Sequence, residues 1–187
     1  MPYVPEVRAT EVGGPAAPTA TPPRISTTAA PTRATFAYTA TVDDWRANLV
    51  TDSAEMARIV RECRRIAVLG IKPESRAGMP AHYVPEYMLR HGYDIVPVPV
   101  YYPDVVEILG RPVYRSLVAV PGPIDMVNVF RRPRDIPPHV PDILAAKPQV
   151  VWLQLGIAHP EAAETLARAG IRVVQDRCLM VEHRRLA

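Results

Sequence analysis

Five short, nearly unbroken apolar runs recur along the last two thirds of this chain, and four of them are followed by a stretch able to form a helix. The runs are Arg65-Ile-Ala-Val-Leu-Gly70, Asp94-Ile-Val-Pro-Val98, Met126-Val-Asn-Val-Phe130, Val150-Val-Trp-Leu-Gln-Leu155 and Ile171-Arg-Val-Val-Gln175. A strand with one wet face alternates apolar and polar residues. A strand buried on both faces does not, and such strands belong to parallel sheets covered on each side. The intervening stretches 80–90, 138–146, 160–169 and 179–186 carry apolar residues at helical spacing or helix-start prolines. His91-Gly92 and Gly170 stop two of them.

Strand and helix alternating in this way predict an α/β protein: a three-layer, Rossmann-like fold with a mostly parallel five-stranded sheet. Right-handed crossovers then bring every strand's C-terminal end to one edge, and ligands bind there, where strand order reverses. Pro85 interrupts the helix over 80–90 and allows a later start near Val84. Residues 101–116 read as a connecting region around Gly110.

Upstream of the first run, residues 41–63 read as an adaptor helix opened by Asp43 and Asp44, whose carboxylates suit a helix start. Asp52, with Glu55 three positions on, allows a restart there. Residues 1–40 read as a Pro/Ala/Thr-rich disordered tail, since proline removes donors and no apolar period is sustained. This divides the chain into tail (1–40), adaptor (41–63) and ligand-binding domain (64–187).

Composition narrows the partners. The net charge is +3, from 22 basic and 19 acidic residues. That is too mild and dispersed for a nucleic-acid footprint. No apolar run reaches membrane-spanning length. Two distant cysteines, Cys63 and Cys178, read as reduced thiols of a cytoplasmic protein. His82, His91, His139, His159 and His183 show no metal-ligand spacing, and adjacent Glu182 and His183 do not face each other on a helix. The expected partner is a small-molecule ligand, with a homo-oligomer or protein partner left open.

The chemistry-bearing residues sit after the strands. Gly70, Ile71, Lys72, Ser75, Arg76 and Gly78 occupy the loop after strand one, where open α/β folds hold phosphates. The same residues also suit an ordinary solvated loop. No GxGxxG and no Walker lysine motif occur, and strand two ends in Pro97, Val98 and Pro99 rather than a ribose-binding acid. These absences weigh against NAD and ATP, and an apolar strand end suits an adenine ring. After strand three come Phe130, Arg131 and Arg132, then Arg134: phosphate contacts, or a solvated basic loop. Asp176-Arg-Cys178 is either a reactive thiol at a helix start or a small buried residue beside an Asp cap.

Several segments carry a more specific signal: Ala67-Val-Leu-Gly-Ile71, Gly92-Tyr-Asp-Ile-Val-Pro97, Ile108-Leu-Gly-Arg111, Val129-Phe-Arg-Arg132, Val151-Trp-Leu-Gln-Leu-Gly156, and Asp176-Arg-Cys178 with Glu182-His183. In this order the chain resembles the stand-alone CoA-binding protein family, related to the CoA-binding domain of the succinyl-CoA synthetase α subunit. Where that family often has Asn-Pro, this chain has Val98-Pro99. The resemblance implies non-catalytic binding of coenzyme A or an acyl-CoA. Gln154 and Gly156 end strand four, where they either hydrogen-bond the pantetheine amides or simply close a core strand. The resemblance does not bring the ligase's phosphohistidine chemistry, because 64–187 has no counterpart of that further domain. The other readings are a nicotinamide-nucleotide-dependent oxidoreductase and a regulatory interaction module with a vestigial ligand site.

Overall fold

The computed structural model describes residues 44–186; the 1–40 tail and the Asp43 helix start lie outside them. In chain order the strands are β1 (Leu49–Val50), β2 (Arg65–Leu69), β3 (Asp94–Val98), a small β4–β5 hairpin (Glu107–Ile108, Arg111–Pro112), β6 (Met126–Val129), β7 (Val150–Leu153) and β8 (Arg172–Val174). The helices are α1 (Ser53–Glu62), α2 (Pro80–Arg90), α3 (Val140–Ala146), α4 (Pro160–Arg168) and α5 (Leu179–Arg184). The sheet is wholly parallel, in the order β1-β8-β7-β6-β2-β3.

The continuous apolar runs are explained by burial on both faces. Ala67 and Leu69 of β2 join a core with Ile143 of α3 and Leu166 of α4. Their neighbours Ile66 and Val68 join a second core with Ile59 of α1, Met88 of α2 and Leu179 of α5. Two helical layers therefore enclose the sheet. Asp125 ties its N-terminal edge: one carboxylate oxygen accepts from both Arg64 and Arg65 N–H at 2.9 Å.

The sheet has six strands, not five. The 41–63 segment is not one adaptor helix: a 3-10 turn (Trp45–Asn48) leads into β1, which pairs in parallel with β8 at Leu49↔Val173 and Val50↔Val174. Two residues leave no periodicity to read, and pairing alone makes them a strand. The restart is as the sequence suggests, with Asp52 accepting from Glu55 N–H at 2.8 Å. The 101–116 region also holds more order than a plain connection. Leu109 and Gly110, both at positive φ, turn the β4–β5 hairpin. Tyr114 N–H then donates to Pro97 C=O across the β3 margin at 2.9 Å.

α2 begins at Pro80, with Pro85 inside it, rather than near Val84. Pro85 has no N–H to offer the carbonyl four residues back. That carbonyl, Ala81 C=O, accepts from Lys72 N–H at 3.0 Å. Buried His82 uses Nδ1 to donate to Lys72 C=O at 2.9 Å. The interruption thus frees the acceptor that holds Lys72 N–H, and the His82 side chain holds the Lys72 carbonyl.

Candidate functional site

Strand order reverses at β2, whose neighbours are β3 on one side and β6 on the other. A crevice is expected beyond their C-terminal ends. Gly70 leaves β2 at φ +89°, and a Cβ there would lie 2.5 Å from the Phe130 carbonyl oxygen. Only glycine lets the two strand-end loops approach this closely. The contact holds Lys72 and the Phe130-Arg131-Arg132 segment around one opening.

That opening is a cleft of about 540 Å³, lined among others by Lys72, Phe130, Arg131, Arg132, Gln154 and Gly156. A smaller cleft of about 260 Å³ lies against Val98 and Pro99, and Tyr101 lines both. Gly70 and Ile71 are structural: the first makes the close approach and the second is 1% exposed in the core. Like Gly70 and Ile71, four further expected positions line neither cleft: Ser75, Arg76, Gly78 and Pro97. Pro73 leads into a 3-10 turn over Glu74–Arg76. Glu74 in that turn accepts from Leu109 N–H at 2.7 Å, which ties it to the hairpin. Pro97 is an internal β3 residue opposite Val68, admissible because β3 is a margin strand.

The cationic side chains converge on one aromatic ring. Lys72 Nζ lies 5.2 Å from the Tyr101 and Tyr102 ring centroids, and Arg131 Cζ lies 5.3 Å from that of Tyr101. The Arg131 side chain is 11% exposed and meets Asp135 at 3.7 Å. Its buried Nε has no hydrogen-bond partner among the described residues. An under-satisfied guanidinium beside a cleft is a ready anion donor. Burial, and then the Arg131 charge, hold His139 below the ordinary histidine value.

Gln154 and Gly156 line the larger cleft and also carry hydrogen bonds within the fold. Gln154 Nε2 donates to Asn128 Oδ1 at 2.8 Å, and its Oε1 accepts from Leu179 N–H at 3.3 Å. Gly156 N–H donates to Asp176 Oδ1 at 2.6 Å. Their polar groups hold β7, the loop after it and the start of α5 in place. Asp176 thus pins the loop after β7, and α5 is capped by Cys178 without a side-chain bond. Glu182 bonds Arg185, while His183 Nδ1 lies 3.0 Å from the Tyr87 hydroxyl.

Sequence reasoning missed Tyr101, Met79 and Leu155, the last two exposed on the wall of the larger cleft at 44% and 69%. The Tyr101-Tyr102 doublet, directly after the Pro-Val-Pro strand end, was the available signal. Among the described residues no cluster of three metal-ligating side chains exists, and no helix is long and apolar enough to cross a membrane.

Comparison with known proteins adds an independent line. A Bacillus subtilis (strain 168) protein, the uncharacterized YneT, is 37% identical over 130 residues, covering 70% of this chain and 93% of that one. A Thermus thermophilus structure, cell-free ID.343, is 42% identical with TM-score 0.67, covering 73% of this chain and all of the other. A hypothetical protein from Pyrococcus horikoshii OT3 is 32% identical with TM-score 0.66, covering 73% of this chain and 92% of its own. The model of the CoA binding domain matches residues 64–184, the span that carries five of the six sheet strands and both clefts, and this chain belongs to that family.

Proposed function

We propose that the domain binds coenzyme A or an acyl-CoA at the larger cleft and catalyses no turnover of it. The observation that carries this reading is the buried Arg131 guanidinium with an unmet Nε, grouped with Lys72 and Arg132 on one cleft beside the Gly70 turn. CoA is a polyanion with a long, nearly apolar arm, and the residues present fit both parts. Lys72, Arg131 and Arg132 would take phosphate oxygens, exchanging the Tyr101 ring face for a full negative charge. Met79, Phe130 and Leu155 would flank the arm or an acyl group. The smaller cleft, with Val98, Pro99 and Tyr101, suits the adenine ring. The bound molecule supplies a thiol or thioester; the protein's part is to hold it and shield it.

A nicotinamide dinucleotide fits less well, because β3 ends in Val98-Pro99-Val100 with no carboxylate for a ribose diol. The reading goes with a cytoplasmic setting, in keeping with the free cysteines.

The test is a thermal-shift series on the full chain with CoA, acetyl-CoA and NAD, joined to native mass spectrometry of freshly purified protein. CoA in hundredfold excess over its Kd stabilises by about 2.7 kcal/mol through mass action. NAD is expected to shift the transition less. An equal or larger shift with NAD would refute the CoA reading, and a shift with neither would favour a regulatory module with a vestigial site.

A further inference from the structure

The two cysteines occupy opposite environments. Cys63, at the end of α1, is 1% exposed, and burial pushes its thiol up to about 12. Cys178 is half-buried and lines the larger cleft together with Lys72, Arg131 and Arg132.

The chain on either side of Cys178 is fixed. Trp152 Nε1 donates to Arg177 C=O at 2.7 Å. On the other side, Leu179 N–H donates to Gln154 Oε1 at 3.3 Å. Gln154 rests in turn on Asn128, which is fully buried and whose Nδ2 has no partner. The thiol is therefore held on the cleft wall by a rigid polar frame that still has a donor to spare. CoA carries its phosphates at one end and its sulfur at the other. With the phosphates on the cations, the pantetheine arm runs along the remaining wall, and Cys178 is the thiol-bearing residue of that wall among the described residues.

We propose that Cys178 is a modification site that accepts CoA as a mixed disulfide, formed by exchange with a CoA-containing disulfide bound in the same cleft. This rests on the CoA-binding reading above. The Cys178 thiol loses its proton to solvent, and the thiolate attacks one sulfur of the bound disulfide. The Cys178–CoA sulfur bond forms as the original sulfur–sulfur bond breaks. The second thiol leaves as thiolate and takes a proton from solvent. The disulfide is the only oxidant the step needs, and a free thiol reverses it. The nucleotide end supplies the affinity, so the exchange is selective for CoA over small disulfides that lack it.

The full chain is treated with CoA disulfide or with glutathione disulfide at equal concentration. Intact mass is followed over time, peptides are mapped, and CoA affinity is measured by calorimetry on the same preparation. One CoA is expected on the peptide containing Cys178 and none on Cys63, forming about tenfold faster or more than the glutathione adduct because the reacting sulfurs are held together. Cys178→Ser should abolish the adduct, and a thiol reductant should remove it from the wild type. Equal rates with the two disulfides, or an adduct at Cys63, would overturn the proposal. CoA binding by calorimetry without an adduct would overturn it while leaving the binding function intact. Absence of CoA binding would overturn both.

Discussion

Gly70→Ala tests the contact that joins the two strand-end loops. The added Cβ would sit 2.5 Å from the Phe130 carbonyl oxygen and 3.2 Å from Arg131 Cδ, at φ +89°. The left-handed backbone costs a non-glycine residue about 1–2 kcal/mol. Forcing one carbon into a packed contact costs about 1–3 kcal/mol more, since backbone must move. Together these give about 2–5 kcal/mol. In a domain of this size the melting temperature then falls by roughly 5–20 °C. Gly78→Ala is the matched control, because its Cβ would meet nothing within 4 Å and its φ lies outside the left-handed range. That variant is expected to match wild type or gain a little from unfolded-state entropy. The assay is thermal unfolding of the three full-length proteins by circular dichroism, with CoA titrations on the folded forms. The displaced loops carry Lys72 and Arg131, so Gly70→Ala should also bind CoA more weakly than Gly78→Ala. If the two variants melt within about 2 °C of each other, the close approach of these loops is not as described.

Arg131→Ala should weaken CoA binding by about 1–3 kcal/mol in calorimetry, Lys72→Ala by the same or less, and Arg76→Ala not at all. Added salt should lower the wild-type affinity, because partly exposed charges are screened. Asp125→Ala removes the acceptor of the Arg64 and Arg65 N–H groups at the start of β2, and should cost about 1–3 kcal/mol in urea unfolding without altering the cleft. His183 is held below the ordinary histidine value, first by burial and then by the His91 charge. The fold therefore favours its neutral form. The stability it contributes is present above the unfolded value of about 6.5 and is lost as pH falls through the lower folded value. Wild type should lose more stability than His183→Phe when pH is lowered across that range, as read by denaturant midpoints.

The strands of the parallel sheet that follow Arg64 were legible because burial on both faces leaves a continuous apolar run that few alternatives mimic, whereas the mostly exposed β4–β5 hairpin leaves no such run. β1 was not, since Leu49 and Val50 become a strand only by pairing with Val173 and Val174. The site was legible where topology decides it. Gly70, Lys72 and the Phe130-Arg131-Arg132 segment directly follow strands, and a parallel sheet delivers strand ends to one edge. Ser75 and Arg76 lie in a short 3-10 turn, which no periodicity announces, and line neither cleft. Tyr101 escaped notice because it lies in a connection whose course is set by Arg115, which donates to the carbonyls of Tyr102, Pro103 and Val105. Gln154 and Gly156 were found, but their polar groups serve the fold, a distinction that depends on Asn128 and Asp176 from elsewhere in the chain.

The two margins of the sheet have a consequence for the protein at high concentration. A long, flat margin strand offers unpaired amides and carbonyls to any other chain, which is how sheets recruit copies into aggregates. Here β1 spans two residues, too few to register an incoming strand. At the other margin, Pro97 lacks an amide to offer, and its carbonyl already accepts from Tyr114. Neither side presents a template for growth, so the α/β unit should tolerate crowding and repeated refolding without strand-to-strand association between molecules.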